Sequence, residues 1–195
     1  MDFASSVRPI RIMVSSAVYG LESVLDLTYD TLTKYGYEVW MSHKGTIPTD
    51  PRKSNFQNCL DAVGECDFFL GIITGRYGSA APGERSIVHQ EMCEAVRLKR
   101  TRWFLVQREV VIARQLLKQF RSADGCGWTV PIRPSAVLQD ARVIEMYEEA
   151  IQHRVPLAER TGNWAQEYSS DQDVLRFLHS QFSDLQRSLG LIAPR

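Results

Sequence analysis

The run Asp67 to Thr74, DFFLGIIT, constrains this chain most. A strand with no polar face must be covered on both sides, which suits the centre of a parallel sheet sandwiched between helices. The run empties into the glycine-rich turn Gly75-Arg76-Tyr77-Gly78. Its neighbours fit the same architecture. Ile10 to Ser15, IRIMVS, predicts a first strand, and Leu21, Val24, Leu25, Thr28, Leu32 and Tyr35 recur at helical spacing until Gly36 stops the helix. Tyr37 to Met41 predicts a second strand, Ser42 to Pro51 a loop, and Asn55 to Val63 a short helix with Phe56, Cys59, Leu60 and Val63 on one side. A helix over Ser86 to Lys99, a strand at Arg102 to Val106 and a helix over Val110 to Phe120 follow.

Strands alternating with single helices argue for a parallel sheet with right-handed crossovers. The expected fold is therefore α/β, a flavodoxin-like, doubly wound parallel sheet of about five strands, with Trp128 to Ile132 as the fifth. From Ala141 the pattern is helical, with Val143, Met146, Tyr147, Ala150 and Ile151 on one segment and Val174, Phe177, Leu178, Phe182, Leu185 and Leu189 on another. The expected organisation is an α/β domain over 8–135 and a C-terminal helical extension over 136–195 packing on the same domain.

Composition narrows the function classes. With 195 residues, 44% apolar, and 23 basic residues against 23 acidic ones, the chain carries no field that would gather nucleic acid or an anionic membrane. No apolar run approaches the roughly 20 residues that span a bilayer. The N-terminal MDFASSVRPIRIMV has no basic region followed by an apolar stretch and a cleavage site, so a cytoplasmic protein is expected. No pair among Cys59, Cys66, Cys93 and Cys126 is spaced Cys-x-x-Cys, and all four are expected as small buried hydrophobes.

In open parallel sheets ligands bind at the carboxyl ends of the strands. Those ends carry Ser15, Ser16 and Tyr19, then Trp40 and Ser42, then Arg76 and Tyr77 in the glycine-rich turn, with Ser86 opening the next helix. Hydroxyls, helix-start NH groups, aromatic faces and an arginine suit a ligand with a base, a sugar and phosphates. The competing assignment gives each residue a structural duty: capping for the serines, core packing for Trp40 and Tyr77, solvation for Arg76.

The sharper signal is Glu91. On a helical wheel Ile87, Val88, Ala95 and Leu98 all lie within about 60° of it, so this carboxylate sits inside the apolar stripe. Such a group costs several kcal/mol unless it is paired, protonated or open to a cleft. Either it forms an ion pair, with Arg76 or Arg85 as partners, or it lines a catalytic cleft. His89-Gln90-Glu91 matches half of the zinc deaminase signature, but the Pro-Cys-x-x-Cys metal pair is missing and His89 points about 160° away. The sequence also lacks Gly-x-Ser-x-Gly, Gly-x-Gly-x-x-Gly, His-Glu-x-x-His and a Walker loop.

Val14-Ser15-Ser16 with Tyr19-Gly20-Leu21-Glu22, Gly36-Tyr37-Glu38-Val39, Cys66-Asp67, Gly71-Ile72-Ile73 with Gly75-Arg76-Tyr77-Gly78, and Ser86-Ile87 followed by Glu91 and Ala95 together resemble the domain-of-unknown-function 4062 family. Trp164 and Asp173 to Phe182 resemble the tail that follows in that family. The resemblance implies a TIR-like fold, akin to TIR domains and nucleoside 2-deoxyribosyltransferases. It also implies a glutamate, here Glu91, that cleaves an N-glycosidic bond, with Ser15, Ser16, Trp40, Ser42 and Arg76 around the ligand; Tyr19, Tyr77 and Ser86 complete the expected ligand-binding set. The implied activity is an NAD hydrolase or cyclase in antiviral or immune signalling. NAD or a related nucleotide would be substrate rather than cofactor, no metal would be required, and the chain would form a homo-oligomer beside a sensor or effector protein. The alternatives are a non-catalytic interaction module and a 2-deoxyribosyltransferase-like enzyme.

Overall fold

The computed structural model describes residues 8–81, 83–123 and 127–192. Five strands, β1 (Arg11–Ser16), β2 (Glu38–Trp40), β3 (Phe68–Ile73), β4 (Thr101–Gln107) and β5 (Ala165–Tyr168), form one sheet in the order β2-β1-β3-β4-β5. All neighbours are parallel. This is the flavodoxin-like doubly wound order. Every residue of β3 is buried, as a run without a polar face requires.

The helices are α1 (Glu22–Lys34), α2 (Asn55–Glu65), α3 (Ile87–Arg97), α4 (Arg108–Leu117), α5 (Arg142–Ala150), α6 (Asp171–Phe182) and α7 (Leu185–Gly190). Period-two alternation sends strand side chains to two cores. Met13, Phe69, Ile73 and Phe104 pack with α2, α3 and α5, while Ile12, Val14, Leu70 and Leu105 pack with α1 and α6. Serines fix the starts of three helices by accepting from an orphan backbone NH: Ser54 for α2, Ser86 for α3, and Ser170 for α6 in a capping box with Asp173. Among the described residues no helix is long and apolar enough to cross a membrane.

The fifth strand is not Trp128 to Ile132. Pro131 has no NH for a ladder, and Trp128 forms only an isolated bridge with Arg121, whose guanidinium lies 4.0 Å over its ring. The edge position goes to Ala165–Tyr168, AQEY, where Gln166 and Glu167 are exposed and only Tyr168 is buried. So short and polar a strand carries no apolar signal. The segment beyond residue 135 thus supplies the sheet's last strand as well as α5 and α6, which cover its two faces.

Gly64 lies in α2, and a Cβ built there meets no atom within 4 Å. Gly64→Ala is expected to stabilise the fold by about 0.5 to 1 kcal/mol, through helix propensity and a less flexible unfolded chain. A thermal melt checks this, and a lower melting temperature would contradict the open space around Gly64.

Candidate active site

The chain leaves β1 outward to β2 and returns across β1 to β3, so the strand order reverses between β1 and β3. The connections after two adjacent strands therefore diverge, and a crevice opens at their carboxyl ends. A cavity of about 650 Å³ occupies it, with Glu91 in its wall. The size falls within the range of small-molecule sites.

Glu91 is positioned from below by α3, whose start is fixed by the Ser86 hydroxyl accepting from the His89 NH at 3.2 Å. Only 4% of Glu91 is exposed. Ser15, at the end of β1, donates its hydroxyl hydrogen to Glu91 Oε2, and the Cys59 thiol on α2 donates to the same carboxylate. Among the described residues no cation pairs with it: Arg85 bonds Glu149 at 2.8 Å, and Arg76 lies 4.5 Å over the Tyr19 ring. The ion-pair explanation for a carboxylate in the apolar stripe therefore fails. Burial pushes the Glu91 carboxyl above its ordinary value, against the opposing hydrogen bonds from Ser15 and Cys59. Burial, together with the neighbouring Glu91, pushes the Cys59 thiol up to about 12.

Ser16, Tyr19, Ser42 and Arg76 line the cavity with Glu91, and Ser15 stands behind the carboxylate. The Arg76–Tyr19 stack forms the rim. A second cavity of about 530 Å³ adjoins the first and shares Tyr19, Arg76 and Gln139 with it. The two volumes meet at this stack.

Three expected ligand residues have structural duties instead. Trp40 is core, 2% exposed, with its Nε1 donating to Glu38 Oε1 at 2.8 Å. It pairs in register with Met13, two residues short of Ser15, so it sits a layer below the strand tips. Tyr77 is buried, its hydroxyl 2.7 Å from His89 Nδ1 and its ring 4.3 Å from the Arg142 guanidinium. Ser86 is fully buried as the α3 cap.

Several cleft residues, among them Cys59, Gln139, Asn55 and Ser79, are not marked by the sequence. Cys59 carried the signal of a helix stripe, which marks burial but not what it is buried against. Gln139 carried none, since it reaches the cleft through the 2.8 Å bond from its NH to the Gly75 carbonyl. Cys66 is a buried hydrophobe as expected, Cys93 is half-buried among polar groups, and Cys126 lies outside the described residues.

A search of curated proteins finds no match to the chain. The family model described as a domain of unknown function, DUF4062, matches residues 11–174, from the first residue of β1 into α6. That span contains all five strands and every residue placed in the cleft above, and the chain belongs to the DUF4062 family.

Proposed function

We propose that this chain cleaves the nicotinamide–ribose N-glycosidic bond of NAD. The observation that carries this is a buried carboxylate, Glu91, paired with no cation among the described residues and lining a cleft at the strand-order reversal. A group kept there at such cost serves a ligand better than it serves the fold. The resemblance to TIR-like N-glycosidases, which place a glutamate on the helix after the third strand, supports the same chemistry.

Nicotinamide leaves a cationic pyridinium as a neutral ring, so the reaction needs no general acid. Its demand is for negative charge beside an oxocarbenium-like ribose, which a single carboxylate can meet by electrostatics, by holding the ribose hydroxyls or by direct attack. Ser15 and Cys59 orient that carboxylate through their hydrogen bonds. Water as the final nucleophile yields ADP-ribose, and a nucleophile within the substrate yields a cyclic product. Two adjoining cavities with Arg76 between them suit a dinucleotide, one nucleoside on each side and the diphosphate on the guanidinium, better than a single deoxynucleoside.

The test is incubation of the purified chain with NAD at dilute and at crowded concentrations, the latter because enzymes of the class it resembles are often assembled into active oligomers. Products are resolved by mass and chromatography. Nicotinamide release is expected; base exchange between deoxynucleosides without loss of NAD would assign the site to a transferase. No turnover of either substrate at any concentration would leave an interaction module. Arg76→Ala is expected to raise KM for NAD about 10-fold with kcat nearly unchanged, since a diphosphate contact binds ground and transition states alike. A fall confined to kcat would place Arg76 at the reacting sugar instead.

A further inference from the structure

On the side of α3 away from Glu91 lies a second cluster with different chemistry. His89 and Cys93, four residues apart on the helix, point to one face, and Glu149 of α5 meets them there. His89 Nε2 lies 3.0 Å from Glu149 Oε2, and Cys93 Sγ lies 2.7 Å from the same oxygen. The three donor atoms are all within 4.8 Å of one another. Cys93 and Glu149 also line a cavity of about 620 Å³, separate from the cleft above.

We propose that His89 Nε2, Cys93 Sγ and Glu149 Oε2 bind one Zn²⁺, with water completing the coordination from the cavity side. A tetrahedral zinc with bonds of about 2.0 to 2.3 Å holds its ligands roughly 3.3 to 3.8 Å apart, a spread these atoms reach by small side-chain rotations. Imidazole, thiolate and carboxylate together select zinc over magnesium or calcium, which take oxygen ligands. The thiol proton passes to solvent as the ion binds.

The surrounding groups are those that orient such ligands. Tyr77 Oη, 2.7 Å from His89 Nδ1, can accept from the protonated Nδ1 and leave Nε2 free to bind the metal. Arg85 donates to Glu149 Oε1 at 2.8 Å and to Cys93 Sγ at 3.3 Å, which occupies the far carboxylate oxygen and leaves Oε2 facing the other ligands. A nucleophilic cysteine fits less well, because the thiol meets the carboxylate while His89, the base it would need, is turned to the same oxygen. The ion would fasten α5 to α3.

The full-length chain, stripped with a chelator, is titrated with Co²⁺ and then Zn²⁺. One equivalent of Co²⁺ should produce a thiolate-to-metal charge-transfer band that Zn²⁺ abolishes. Zn²⁺ should raise the melting temperature by about 5 °C at saturating concentration, and should shield Cys93 selectively from alkylation as read by peptide mass spectrometry. Cys93→Ser should lose the cobalt–thiolate band and weaken zinc binding at least 10-fold, whereas Glu91→Gln should keep both. Absence of the band, or zinc uptake that neither shields Cys93 nor responds to Cys93→Ser, overturns the proposal; the shielding measurement uses the unaltered chain and does not depend on the variant folding.

Discussion

Glu91→Gln is expected to abolish turnover of NAD while making the protein more stable at neutral pH. The amide matches the carboxylate in shape, and its oxygen can still accept from Ser15. What disappears is the negative charge beside the developing oxocarbenium ion, and a loss of about 10³-fold or more in kcat is expected. The stability gain follows from linkage. An acid whose folded pKa is raised by burial binds more protons folded than unfolded, so stability falls as pH rises through that window. Below the unfolded pKa, near 4, both states are protonated and the residue costs nothing. Above the folded pKa the full cost is present, and Gln removes it.

The Gln protein should therefore melt at a higher temperature than the parent at neutral pH. Melts of both proteins at neutral pH and near pH 4 check this: the gain should vanish at the acid end. A residue serving packing alone would lose stability on substitution and leave turnover intact, which would sink the assignment. The pH dependence gives a second test. The kcat/KM profile should fall on the acid side with an inflection above the ordinary 4.5, because the free enzyme must ionise Glu91. The inflection in kcat should lie lower, since a bound pyridinium cation favours the charged carboxylate.

Particular residues show how far the sequence carries. Glu91 was legible because one helix face can be drawn from the sequence, and a carboxylate amid Ile87, Val88 and Ala95 stands out on it. The wheel also placed His89 far from Glu91, but it could not show that α5 covers that opposite side, where His89 is 1% exposed. Alternation along β2 fixes the face to which Trp40 points but not its height on the sheet, which depends on pairing register with β1. That is why an aromatic assigned to the cleft lies beneath it. The edge strand AQEY and Gln139 depend on contacts between distant segments, and no local periodicity announces them.

Gly75→Ala is expected to be the most damaging single-methyl change around the site. A Cβ at Gly75 would lie 1.9 Å from the Val137 carbonyl oxygen and 2.9 Å from its carbon, which are backbone atoms that cannot rotate away. The segment there is anchored on both sides. Gln139 NH donates to the Gly75 carbonyl at 2.8 Å, Leu138 is buried in the core, and the Ser135 and Leu138 backbones bond at 2.9 Å. Admitting the methyl group means moving this turn, breaking the bond to Gln139 and partly exposing Leu138. The expected loss is about 3 kcal/mol, at the upper end for overpacking, or roughly 6 to 12 °C in melting temperature. Val137→Ala in the same chain should rescue nothing, because the obstructing atom belongs to the main chain. Since Arg76 follows directly and Gln139 lines both cavities, KM for NAD should rise in whatever fraction remains folded. A Gly75→Ala protein within about 0.5 kcal/mol of the parent would show that the 135–139 segment yields without cost. The glycine of this turn would then have no structural reason to be there, and its closeness to the cleft would need a functional one.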